Sequence, residues 1–183
     1  MGTIIDSVHF RHQGDTKEFL SGLYQVYGLN YPKFFKMDLL SKAGLLAAET
    51  LFRVHPADEQ TALVFANAAS SLETDRLFRQ TIQEEEFFPS PSVFVYTLPN
   101  IVLGEVCIRH HLYGEQIFFI SPKLNAERLA HHSHILLAQG SSQVIGAWLA
   151  CERDTCDVFA FLARPDATGI PLNKTTINHL YKK

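Results

Sequence analysis

The sequence predicts an α/β domain: a layered mixed sheet with helices packed on it. Two observations carry that expectation. Apolar runs of strand length alternate with longer stretches of helix formers, in the order strand, helices, strand, helix, strand, helix, strand, strand. The inner runs, Thr61 to Asn67 above all, are apolar without alternation, as strands covered on both faces are.

Taken in order, Met1 to His12 alternates loosely through Ile4, Ile5, Val8 and Phe10 and predicts a first strand. A helix over Thr16 to Tyr27 follows, ended by the turn signal at Gly28 to Pro32. Asp38 stands before Leu39-Leu40-Ser41-Lys42-Ala43-Gly44-Leu45-Leu46-Ala47-Ala48-Glu49, a helix expected to end near Arg53 because Pro56 forbids continuation. After the strand Thr61 to Asn67, Ser70 to Glu86 is polar and closes in Glu84-Glu85-Glu86, most simply a solvated helix face. Phe87-Phe88-Pro89-Ser90-Pro91 breaks the chain. Pro99 sits where an early helical turn tolerates it, ahead of a helix from Asn100 to His111 in which the small Gly104 predicts close packing. Ile117 to Ser121 is a strand, and Ala126 to Gln139 is a helix stopped by Gly140. Gln143 to Cys151 and Asp157 to Arg164 are two strands joined as a hairpin across Glu152-Arg153-Asp154. From Pro165 onward the chain turns polar and lacks a strong core pattern.

A chain of 183 residues fits one domain with a sizeable core, and 46% hydrophobic with 19% charged residues is ordinary globular composition. A net charge of -3 gives no general electrostatic reason to bind nucleic acid or an acidic membrane surface. No apolar run approaches the roughly 20 residues that span a bilayer, and no basic leader precedes an apolar stretch, so membrane insertion is not expected. Cys107, Cys151 and Cys156 match neither a disulfide framework nor a zinc site, which fits a reducing, cytoplasmic location.

Chemistry is sparse. Of His131, His132 and His134, only the first and last share a helix face, and no carboxylate or cysteine at ligand spacing supports them or His110-His111. No metal and no cofactor is expected. The cysteines read as small apolar residues, since none has a nearby base or helix N-terminus to make a thiolate. The serines lack nucleophile-elbow spacing and the glycines are scattered, so no phosphate-cradling loop is present. Lys123, at the strand-to-helix turn Phe118-Phe119-Ile120-Ser121-Pro122-Lys123-Leu124-Asn125, is either a solvated turn residue or, if desolvated, a Schiff-base nucleophile.

Four stretches taken together resemble the N-terminal half of a β-ketoacyl synthase. They are Phe34-Phe35-Lys36-Met37-Asp38-Leu39-Leu40-Ser41-Lys42 leading into Ala47-Ala48-Glu49; Phe65-Ala66-Asn67-Ala68-Ala69-Ser70-Ser71; Pro91-Ser92-Val93-Phe94-Val95-Tyr96-Thr97-Leu98-Pro99-Asn100; and Gly104-Glu105-Val106-Cys107-Ile108-Arg109-His110 before Gly114-Glu115. The resemblance runs from about Lys33 to Arg164 and implies a thiolase-like fold. On it, residues 1–164 form the ketosynthase-like domain and residues 165–183 a polar C-terminal tail. In that family the strand after the glycine matching Gly114 delivers an Ala-Cys pair whose cysteine accepts the acyl group. Here the pair falls on Pro122-Lys123, so Lys123 holds the nucleophile position and the cysteine is absent. The two histidines that the family's second half supplies have no counterpart among His110, His111, His131, His132 and His134.

The resemblance therefore implies no catalytic residue and no condensation by the family mechanism. It implies a role beside an active synthase in fatty-acid, polyene or polyketide assembly, like that of a chain-length factor. In the family the strand before the nucleophile pairs across a two-fold axis. That places the partner interface on Ile117, Phe118, Phe119 and Ile120, with Asn100, in a homodimer or a heterodimer with a full-length ketosynthase. A standalone module that binds an acyl group or acyl carrier protein is the alternative, and an enzyme built around Lys123 is the third reading. Equally, the strand's phenylalanines could be core and nothing more.

Overall fold

The chain, described here by a computed structural model over residues 2–82, 89–165 and 168–183, forms one mixed six-stranded sheet. The strands are β1 (Gly2–Gln13), β2 (Thr61–Asn67), β3 (Gln116–Ile120), β4 (Gln143–Glu152), β5 (Thr155–Pro165) and β6 (Ile170–Pro171). The helices are α1 (Thr16–Val26), α2 (Leu39–Val54), α3 (Leu72–Gln80), α4 (Pro91–Phe94), α5 (Ile101–His110), α6 (Ala126–Ala138) and α7 (Lys174–Lys182). The predicted acidic run Glu84-Glu85-Glu86 and Phe87-Phe88 lie outside the described residues.

Across the sheet the order is β3-β2-β4-β5-β1-β6. β2 runs parallel to both β3 and β4, and the rest is antiparallel. All seven residues of β2 are buried, as its unbroken apolar run predicts. Alternate side chains then serve two cores. Leu63 and Phe65 join Ile145, Leu149 and Ala160 beneath α1, α2 and α5. Ala62 and Val64 join Trp148, Phe159 and Phe161 beneath α6 and α7. The result is a helix-sheet-helix sandwich, the layered arrangement the sequence predicts.

Local chemistry explains where the helices begin. Asp15 accepts the backbone N–H of Glu18 and starts α1; Asp38 accepts that of Ser41 at 2.9 Å and starts α2. Asn125 and Asn173 do the same for α6 and α7. The β4–β5 hairpin turns through Arg153-Asp154 between the paired Glu152 and Thr155, as the sequence predicts.

Three expectations are corrected. Gly104 does not mark a close approach: a Cβ there would meet nothing within 4 Å. The tight contact between these helices is at Gly44 on α2, where an added Cβ would lie 2.3 Å from Val102 Cγ2 on α5. Pro99 also stands outside α5, one residue before its N-cap Asn100. The segment read as a polar tail lacking a core pattern is built into the fold. β6 pairs with β1 at Thr3↔Pro171 and Ile4↔Ile170, and Leu172 and Ile177 are buried. Its apolar residues are too few to stand out by periodicity, and polar contacts do much of the fastening. Asp157 on β5 receives the hydroxyl of Tyr181, lies 2.7 Å from His9 Nε2 and takes Arg11 Nε at 3.1 Å. Arg11 also donates to the Tyr181 carbonyl at 2.9 Å. No single described helix is long and apolar enough to cross a membrane; the bent pair Pro91–Thr97 and Ile101–His110 reaches that length only across a 101° break.

Gly44→Val should overpack the α2–α5 contact and lower unfolding stability by about 1–3 kcal/mol, read by denaturant titration. Gly104→Val, facing open space, should cost far less. Burial by itself would raise the Asp157 carboxyl, but hydrogen bonds from Tyr181, His9 and Arg11 outweigh it and hold the group below its usual range. A carboxylate depressed in the folded state stabilises above its unfolded pKa of about 4, and that contribution is lost as pH falls through the folded value. The docking of α7 should therefore loosen only in acid. Asp157→Asn should loosen it at neutral pH as well, by about 1–2 kcal/mol, seen as faster amide exchange across α7.

Candidate functional site

The residues that the sequence singles out lie on the β3 edge and at the turn that follows it. β3 pairs with β2 alone, from Leu63↔Gln116 to Asn67↔Ile120, so its outer edge carries no strand partner among the described residues. Ile117 and Phe119 lean on the α6 core and Phe118 on the α2–α5 core, each half-buried. Ile120 is 48% exposed. Compared with β2, fully buried beside it, β3 is an apolar strand with one side uncovered. The reading of its phenylalanines as core is half right: their inner faces pack, and the strand edge does not.

The segment that leads into the strand carries further exposed apolar residues. α5 lies against β3. Its Ile108 is 62% exposed, one turn beyond Gly104. Phe94, Val95 and Leu98, just before α5, are also exposed apolar residues. Asn100 is exposed, and its carbonyl accepts the N–H of Leu103 at 3.1 Å, while its side chain caps nothing.

At the turn, Ser121 N donates to the Asn67 carbonyl at 3.0 Å and Ser121 Oγ to the Lys123 carbonyl at 2.9 Å. These bonds close the junction upon itself. Pro122 and Lys123 point outward, exposed, two residues ahead of the Asn125 cap. Lys123 is thus neither in a dry pocket nor at the helix N-terminus, and a solvated amine has no lowered barrier to imine formation.

The histidines do not converge. His134 Nε2 lies 2.7 Å from the Leu172 carbonyl and helps seat the chain before α7, while His132 packs on Phe119 with ring centroids 4.7 Å apart. His110 is half-buried, 3.6 Å from Glu49, and desolvation pushes its pKa down. Burial also pushes the Cys107 thiol up to about 11. Cys151 is raised by its hydrogen bond with Cys156 and by burial. Both shifts are away from the thiolate.

Sequence reasoning missed a buried polar network. Glu49 accepts Arg109 Nε at 2.7 Å, joining α2 to α5, and Arg109 stacks on Tyr31 at 5.0 Å. Glu105 accepts the Tyr96 hydroxyl at 2.9 Å and pairs with Lys33 at 2.7 Å. Charged residues inside an apolar helix, such as Glu49 after Leu45-Leu46-Ala47-Ala48, were the available signal. The Gly-Glu-Val-Cys-Ile-Arg-His stretch that carries the resemblance is thus held for internal reasons: its charges fix α5, and with it the flank of β3.

Comparison with known proteins places this architecture. No family model and no curated protein matches the chain. Solved structures do. One, of the ishigamide ketosynthase/chain length factor, aligns with a TM-score of 0.68 at 16% identity over 93% of this chain and 64% of that one. A second is a ketosynthase, ApeO, in complex with its chain length factor, ApeC, from Xenorhabdus doucetiae; the TM-score is 0.65 at 14% identity, covering 99% of this chain and 90% of that one. A third, a type II polyketide acyl-carrier protein in complex with its ketosynthase, gives 0.70 at 10% identity over 90% of this chain and 62% of that one. The chain spans just under two thirds of the first and third of these and nearly all of the second. At such identities the likeness is one of fold, and the fold is that of the ketosynthases and their chain length factors, a thiolase-like α/β layer.

Proposed function

We propose that this chain is a non-catalytic ketosynthase-like subunit that associates with an active ketosynthase, as a chain length factor does, in polyketide, polyene or fatty-acid assembly. The observation that carries this reading is the match over 99% of this chain and 90% of a chain in a ketosynthase–chain length factor complex. It is a likeness to a molecule of nearly the same size, end to end. Two features of the site support it. The position that the ketosynthase resemblance assigns to the acyl-accepting cysteine holds Lys123, exposed and undesolvated. The strand before it is an apolar edge whose outer backbone donors and acceptors have no strand partner among the described residues.

In this reading the β3 edge adds to the matching strand of the ketosynthase, and Ile120, Ile108 and the apolar residues before α5 flank the seam. The acyl carrier protein then meets the assembled pair. The second copy that the edge could recruit is the same chain, in a homodimer, when the synthase is absent.

Mixing the chain with a complete ketosynthase of its own pathway and measuring mass in solution should give a one-to-one complex. Ile120→Lys puts a charge on an already exposed edge position and should weaken that complex at least about tenfold. Ile170→Lys, equally exposed on β6 at the opposite edge of the sheet, should leave it intact. A complex indifferent to Ile120→Lys, or the absence of any complex, would reject the reading. Lys123→Ala should change neither association nor stability beyond about 0.5 kcal/mol, and borohydride with a panel of keto substrates should trap no adduct at Lys123.

A further inference from the structure

A cavity of about 960 Å³ lies away from the β3 edge. It opens beyond the carboxyl ends of β2 and β4, walled by the start of α2, by α3 and by the β4–β5 hairpin. Parallel strands commonly present ligands at this end.

Lys42, in the first turns of α2, lines this cavity and is only 4% exposed. Among the described residues it makes neither a hydrogen bond nor an ion pair; its ammonium lies over the ring of Phe34, 5.6 Å from the centroid. Its stem is buried and its ammonium faces the cavity, where a group of opposite charge would offset the partial loss of water around it. Burial lowers the Lys42 pKa, and Lys17, on the same cavity, lowers it further against the opposing pull of Asp38.

The acidic groups nearby are committed elsewhere. Asp38 spends one oxygen on the Ser41 N–H and the other on the Thr74 hydroxyl, and burial pushes its carboxyl up. Glu73 is paired with Arg76 at 2.6 Å, and Asp15 caps α1. Glu152 and Asp154 stand on the exposed hairpin turn. The walls are otherwise notable for large apolar side chains left open to solvent: Phe35 at 58%, Leu72 at 42% and Leu77 at 55% exposed.

A cation that faces the cavity without a partner among the described residues, beside an exposed apolar rim, asks for a ligand that is anionic at one end and apolar along its length. We propose that this cavity binds an amphipathic carboxylate, its carboxylate set against Lys42 and its chain lying over Phe35, Leu72 and Leu77. The carboxylate neutralises the buried ammonium, and the chain removes the rim from water. This site is independent of the partner reading, since it belongs to the chain alone.

Calorimetric titration of the full chain with decanoate tests the proposal, with decanol and inorganic phosphate as comparison ligands. Saturable decanoate binding is expected, at least about tenfold tighter than decanol or phosphate. Lys42→Met and Leu77→Asp should each weaken decanoate at least about tenfold, the second at an exposed position where folding is not at risk. Lys42→Met should also leave the fold at least as stable as before, as removal of an unpaired buried charge predicts. Decanol binding as tightly as decanoate would overturn the proposal, as would decanoate affinity unchanged in Leu77→Asp. So would the lack of saturable decanoate binding up to about 1 mM.

Discussion

The two-sided burial of β2 is the constraint on which the rest depends. A strand apolar at every position needs a cover on each face, and its backbone groups need a strand on each side. α2 and α5 supply one cover and α6 the other; β4 and β3 supply the flanking strands. The close seating of α5 on α2 at Gly44, the long buried face of α2 and the crossover of α6 back over the sheet are consequences of covering that strand. So is the character of β3. It satisfies β2 on one side and has no strand on its other side among the described residues, which makes the sheet's most apolar edge its least finished one.

Polar groups then decide how the layers are registered. Apolar burial is large but non-directional, so it fixes that α5 and α7 pack, and much less where. The Glu49–Arg109 pair ties α5 to α2, the Tyr96–Glu105–Lys33 cluster ties the segment before α5 to the same face, and the Asp157 cluster ties α7 to β1 and β5. Each joins residues far apart in the chain, Asp157 and His9 being separated by 148 positions.

That separation explains what could be read in advance. The order of elements, the α2 cap at Asp38, the buried run of β2 and the hairpin at Glu152-Arg153-Asp154 follow from local pattern and turn chemistry, and they stand. α7 was missed because its buried face rests on little more than Leu172 and Ile177, with Leu180 and Tyr181 partly covered, while its anchor is a carboxylate on another strand. Gly104 misled for a related reason. A glycine in a helix signals room for a neighbour without saying on which helix the neighbour sits, and here the room was needed at Gly44. The candidate interface was legible as residues but not as exposure: only the strand order shows that Ile117 to Ile120 form an edge. Lys42 stands in a run of helix formers, and sequence cannot tell a surface lysine from one turned into a cavity.

The two surfaces this leaves are compatible with each other. Between β3 and the β4–β5 hairpin that walls the cavity stands β2, buried throughout. A strand added to β3 therefore extends the sheet away from the hairpin wall and leaves Lys42 in place. One route for coupling between the two is α2, which carries Lys42 at its start and Glu49 farther along, bonded to the helix that lies against β3. α2, capped by Asp38 and buried along most of its length, lines the cavity at one end and meets the helix against β3 at the other.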